Sequence, residues 1–234
     1  MTQSAVYATK DKESVATKRR WEQMGAAGGI AFVVMQLAGQ SLIQVGGAEP
    51  AFDAAATEIE TFFMNRNFQL TLIGGFLSVL STIAFFWFLG ALWARLRRYE
   101  GEPGWLSLVA FASGLAGVAT LLGDGGWELA ILRLSEGLEA ETIQLLFDQG
   151  NFTLASFWVA LATMLLATGV VAIRDGALPR WLGWFALVVA VALLAARAVW
   201  FTGSGIKFMP YVLFWVWLIA TSIVLIGRAR GATG

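Results

Sequence analysis

The sequence predicts an all-α membrane protein, a six-transmembrane-helix bundle with its N and C termini cytoplasmic. Three observations predict it. Of the 234 residues, 58% are hydrophobic and only 14% are charged, whereas soluble domains are about one-quarter charged. The apolar residues gather into six stretches, each near the roughly 20 helical residues that cross about 30 Å of hydrocarbon. The basic residues fall almost entirely on alternate loops.

The elements follow in order. Residues 1–20 are polar, lack apolar periodicity and end in Lys18-Arg19-Arg20; they read as a cytoplasmic tail without regular structure. The transmembrane domain covers 21–228, and 229–234 form a short cytoplasmic tail. Spans are expected at 21–44, 70–96, 105–123, 152–173, 181–202 and 209–226. Each is apolar all round, and amides cannot stay unpaired in lipid, so each reads as a helix. No period-two alternation points to a barrel. A signal peptide cut near Ala48 is the alternative for span one. The long tail and an apolar run beyond the usual 7–15 or so residues oppose it. Pro50, Pro103 and Pro179 fall in loops, and Pro210 falls in the first turn of the last span, where its missing N–H costs little. This argues against a transporter with proline-broken helices.

Orientation follows from Lys and Arg. One side holds Lys10, Lys12, Lys18, Arg19, Arg20, Arg95, Arg97, Arg98, Arg174, Arg180, Arg228 and Arg230. The other holds Arg66, Arg133 and Lys207. The positive side is expected to be cytoplasmic. Spans two and three also resemble spans four and five. Asn67-Phe68-Gln69-Leu70 matches Asn151-Phe152-Thr153-Leu154, and Pro103-Gly104-Trp105-Leu106 matches Pro179-Arg180-Trp181-Leu182. A parallel repeat of helical hairpins is one reading; recurrent interface signals are the other. Small-residue pairs at Gly25/Gly29, Ala112/Ala116 and Ser113/Gly117 indicate close packing.

Composition excludes much chemistry. There is no Cys and no His, which removes disulfides, thiolate nucleophiles, Cys/His zinc sites, His-ligated haem and Ser-His-Asp triads. Basic and acidic residues balance at 16 each, so nothing argues for nucleic acid. The only candidate Schiff-base lysine, Lys207, lies at a helix end. No acidic residue lies at a span midpoint, and no Gly-rich phosphate loop follows a strand. The expectation is a protein without enzymatic activity, cofactor or metal.

The remaining polar groups gather in the outer half. Asp124, Glu128 and Arg197 are the ionisable candidates at membrane depth. Asp124 and Glu128 share a helix face if span three continues through the glycines, but carboxylates on one helix do not make an aspartyl dyad. Arg197 can pair with Asp124, snorkel to phosphates, or serve a ligand. Gln36, Gln40 and Gln44, at i, i+4 and i+8, line one face of span one. They are either interhelical glue or the wall of a wet vestibule. Asn67 stands where span two begins. Residues 139–147 are amphipathic and are expected on the outer surface or capping the bundle.

Phe88-Leu89-Gly90-Ala91-Leu92, running into Arg95-Leu96-Arg97-Arg98-Tyr99-Glu100-Gly101, resembles a group of small bacterial six-span membrane proteins. So does Ala177-Leu178-Pro179-Arg180-Trp181-Leu182-Gly183-Trp184. That group is frequent in actinobacteria and is classed as a domain of unknown function. The resemblance runs from about Ala51 to the C-terminus. It implies a bacterial cytoplasmic (inner) membrane and supplies no activity or catalytic residue.

The functional expectation is an integral membrane protein with an outer-half polar pocket that binds, and in one version transports, a small molecule, ion or lipid. Asp124, Glu128, Arg197, Gln36, Gln40 and Asn67 would line it. The alternative is an accessory or scaffolding subunit of a larger membrane complex. The partners implied are the bilayer, a small-molecule or lipid ligand, and a membrane-protein partner or second copy.

Overall fold

A computed structural model describes residues 3–45, 47, 49–123, 137, 139–200 and 208–231. The described residues form seven α-helices and no strand. They are α1 (Gln3–Ile43), α2 (Ala56–Met64), α3 (Phe68–Glu100), α4 (Trp105–Leu122), α5 (Ala140–Asp175), α6 (Arg180–Ala198) and α7 (Met209–Gly231). Six of these contain stretches long and apolar enough to cross a bilayer: Arg20–Ile43, Phe68–Glu100, Trp105–Leu122, Ala140–Asp175, Arg180–Ala198 and Met209–Gly227. The expected spans are all present, with ends shifted by a few residues except at α5. The span expected to reach residue 202 has its helix end at Ala198.

The spans close into a ring. α1 packs on α3 and α7, α3 on α4, α4 on α5, α5 on α6, and α6 on α7. α5 also touches α3 and carries α2 at its N-terminal end. It is the best-enclosed span, with 61% of its apolar window buried against 33–39% for the others. One end of the bundle bears the tight α3–α4 and α5–α6 connections and is called here the turn end. The opposite end is the α2 end.

Glycine contacts set the spacing of the ring. A Cβ on Gly39 would stand 2.7 Å from the Gly74 carbonyl oxygen, and one on Gly74 2.6 Å from the Gly39 oxygen. Gly169 and Gly183 form a similar reciprocal contact between α5 and α6, at 2.9 and 3.1 Å. Gly29 meets Ser222, joining α1 to α7. Small residues let helix backbones approach this closely in lipid. Of the pairs expected from the sequence, Gly25, Gly29 and Gly117 lie in such seams, but Ala112 and Ala116 are exposed on α4.

Aromatic rings fill the interior. Trp158 of α5 meets Trp200 edge-on at 4.6 Å. The column continues through Tyr211 and Phe214 of α7 to Phe85 and Phe88 of α3 and Phe32 of α1. Edge-to-face rings gain dispersion and quadrupole attraction in an interior that excludes water. Outward positions such as Ile73, Phe76, Ile83, Leu108, Val188 and Val191 are apolar and exposed, the surface that lipid requires.

Two segments differ from the sequence reading. α1 extends back to Gln3 through the tail left without structure. Residues 3–24 contain neither Pro nor Gly, so no breaker interrupts the helix. Residues 140–147, within the stretch expected on the outer surface or capping the bundle, are the first turns of α5. Ile143 and Phe147 are fully buried there against Ile59, Phe62 and Phe63 of α2. The amphipathic stretch therefore begins a span and packs against α2.

Candidate functional site

The α2 end holds the most unusual polar group. Arg66, in the link between α2 and α3, is only 7% exposed. Its Nη2 donates to the carbonyl of Gly47 at 3.0 Å. Its guanidinium carbon stands 4.1 Å from the centre of the Phe62 ring, a cation–π contact. Its Nε and Nη1 are buried and have no hydrogen-bond partner among the described residues. Burial pushes the guanidinium below its ordinary range, and Glu49 acts in the opposite direction. Asp148, in the first part of α5, likewise has a buried carboxylate oxygen, Oδ1, with no hydrogen-bond partner among the described residues.

Local structure explains how Arg66 comes to be there. Ile59, Phe62 and Phe63 recur at helical spacing and bury α2. α2 stops at Met64, and Asn67 starts α3 by accepting from the Leu70 N–H at 3.0 Å through its side chain. Arg66 is caught between these stops and folded under Phe62. A buried guanidinium with incomplete hydrogen bonding is costly.

The residues expected to share a pocket occupy several places. Gln36 is buried in the α1–α3 seam, where its Nε2 donates to Ser81 Oγ at 3.0 Å. This is the interhelical bond expected of glue. Gln40 is half-buried one turn further on, and Gln44 is exposed. Asn67 is exposed and serves as a helix cap. Arg197 is half-buried in the last turn of α6, close in sequence to the buried Trp200. Asp124 and Glu128 lie outside the described residues. Among those described, no group of three metal-ligating side chains forms.

Asn67 and Asn151, matched by the repeat, take different roles. Asn67 begins a helix, whereas Asn151 lies within α5, buried, donating to the Phe147 carbonyl at 3.1 Å. The second match is closer. Trp105 and Trp181 are both exposed in the first turns of α4 and α6, and Leu106 and Leu182 are both buried.

The turn end is a charged lattice. The Glu100 carboxylate accepts from the Leu106 N–H at 2.9 Å and the Ser107 N–H at 2.7 Å. It also accepts from the Ser107 hydroxyl, so it caps α4 where Gly104, at φ +64°, supplies no side chain. Arg95 donates through Nε to the Ala177 carbonyl at 2.9 Å and stacks on Tyr99. Arg97 bridges the Gly101 carbonyl and Glu102, and this bond holds the Glu102 carboxyl below its usual range. Trp217 Nε1 donates to the Leu182 carbonyl. Residues 88–101 and 177–184 are therefore fastened to each other through Arg95 and Ala177.

Six apolar helices in a closed ring, with lipid-facing aromatics and a polar group buried at one end, define a polytopic membrane protein. No family model, curated protein or solved structure matches the chain.

Proposed function

We propose that this is a non-catalytic integral membrane protein that binds the anionic group of a small molecule or lipid at its α2 end. The supporting observation is Arg66, a buried guanidinium whose Nε and Nη1 find no hydrogen-bond partner among the described residues. A carboxylate or phosphate would satisfy donors that the protein leaves unused, in surroundings where charge-assisted bonds are strong. Gln40 and Asn67 supply neutral groups towards the same end. Onward movement of the ligand across the bilayer is a further use of the same site. The positive-inside pattern supports an orientation with this end outside the cytoplasm, and the resemblance noted in the sequence supports a bacterial inner membrane.

Titration of the full-length protein in nanodiscs with inorganic phosphate and with acetate, followed by tryptophan fluorescence, tests this reading. Arg66→Gln is expected to weaken the response at least ten-fold, or about 1.4 kcal/mol, and Arg66→Lys less. Equal responses in wild type and Arg66→Gln overturn it.

One observation favours a second reading, an accessory subunit. Ala112 and Ala116, four apart, are exposed on α4, where a partner helix can approach closely. Purification in mild detergent after crosslinking separates the two. A stoichiometric protein partner lost in Ala112→Leu supports the subunit, and a monodisperse chain does not.

A further inference from the structure

At the turn end a groove of about 420 Å³ opens on the outer surface between α1 and α3. Trp21, Glu22 and Gly25 line it from α1, and Phe86, Trp87, Gly90, Ala91 and Ala94 from α3. Its floor exists because the helices nearly touch: a Cβ on Gly25 would stand 3.0 Å from both the Ala91 Cβ and the Trp87 carbonyl oxygen. Large exposed rings stand beside it. Trp21 and Trp87 are near-parallel, 6.0 Å apart and inclined by 14°, and each is more than half exposed. The floor is vacant at Gly90, where a Cβ would meet nothing within 4 Å.

The groove begins where the α1 span begins, at Arg20, the depth at which tryptophans meet lipid headgroups. From Ala94 to Phe86 it runs about 12 Å into the apolar zone at 1.5 Å per residue. At its shallow end Arg98 Nη2 meets Glu22 Oε1 at 3.0 Å. Both side chains are about half exposed or more, at 60% and 48%. The mouth therefore presents one positive and one negative charge side by side, above an apolar slot.

We propose that this groove holds a phospholipid with a phosphoethanolamine headgroup. One acyl chain lies along Gly90 and Ala94, against Phe86 and the Trp21–Trp87 stack. The phosphate meets Arg98, and the primary ammonium meets Glu22. Four alternating charges then close a square in which each lipid charge faces its opposite. A headgroup with only negative charge would face Glu22, and a quaternary ammonium would have no N–H to donate to it. The proposal does not depend on Arg66.

Native mass spectrometry of the full-length protein tests it, with equal amounts of dioleoyl phosphatidylethanolamine, phosphatidylglycerol and phosphatidylcholine added in detergent. The ethanolamine lipid is expected to be retained in preference to the other two. Gly90→Leu fills the vacant floor from a position where the added Cβ meets no neighbour, so it is expected to cut that retention at least five-fold at unchanged melting temperature. Ala94→Leu, on the exposed side, repeats the test independently. Glu22→Gln is expected to abolish the preference over phosphatidylglycerol. Retention unaltered by both leucine variants overturns the proposal. So does a preference for phosphatidylglycerol in the wild type, or a protein dimer that disappears in Gly90→Leu, which would assign the groove to a second copy.

Discussion

Single side chains settle matters at both ends of the molecule. Glu100 replaces the cap that Gly104 cannot provide, taking two backbone N–H groups and the Ser107 hydroxyl at the α4 N-terminus. Caps of this kind contribute about 0.5–2 kcal/mol, and a carboxylate adds attraction to the helix dipole. Glu100→Ala is therefore expected to lower the melting temperature in detergent, and Glu100→Gln to lower it less. Equal melting of Glu100→Ala and wild type would show that water serves the α4 N-terminus as well. Nothing in the sequence distinguished Glu100 from its charged neighbours, because its role depends on the path of the chain through residues 101–104. Arg66 was hidden for the same reason. In sequence it is one basic residue in a loop, and its burial depends on α2 lying against α5. Gln36 was more legible: its position in an apolar span required a partner, and Ser81 is that partner.

At the level of the helix, hydropathy carries most of the information. A span is a sum over about 20 residues, so errors at single positions cancel, and α4 starts at the expected Trp105. The nine residues of α2 are too few for such averaging, although Ile59, Phe62 and Phe63 carry a helical period. α5 was expected to start at residue 152. It begins at Ala140 because only Gly150 interrupts the helix-compatible run and α2 covers its apolar face. Contacts between helices make a sharper prediction. A Cβ on Gly28 would press into the Ala84 carbonyl oxygen and stand 3.1 Å from the Phe88 nitrogen. Backbone atoms cannot step aside, so Gly28→Val is expected to destabilise by about 1–3 kcal/mol or more. Gly227, with nothing within 4 Å, is the control: Gly227→Ala is expected to be neutral, or stabilising by up to about 1 kcal/mol through helix propensity. Denaturant titration of both variants reads the contrast, and similar losses would refute the close-contact assignment.

Considered whole, the molecule separates its charges. The expected cytoplasmic side carries Arg95, Arg97, Arg98, Arg174 and Arg180, and the opposite end holds Arg66 under cover. The chain contains no cysteine, so orientation can be measured by adding one. Asp53→Cys at the α2 end is expected to react with an impermeant maleimide in intact cells. Glu102→Cys at the turn end is expected to react only after lysis. The opposite pattern would invert the topology and place Arg66 in the cytoplasm.

The contact between Gly29 and Ser222 joins the first span to the last. A six-membered ring whose seam lies between its chain ends has a natural gauge. Fluorophores on Arg20 and Gly227, both exposed near the turn end, sit on either side of that seam. Energy transfer between them would register any parting of α1 from α7 while leaving the interior column of rings untouched. The meeting of the two terminal spans is thus the place from which the integrity of the ring can be read.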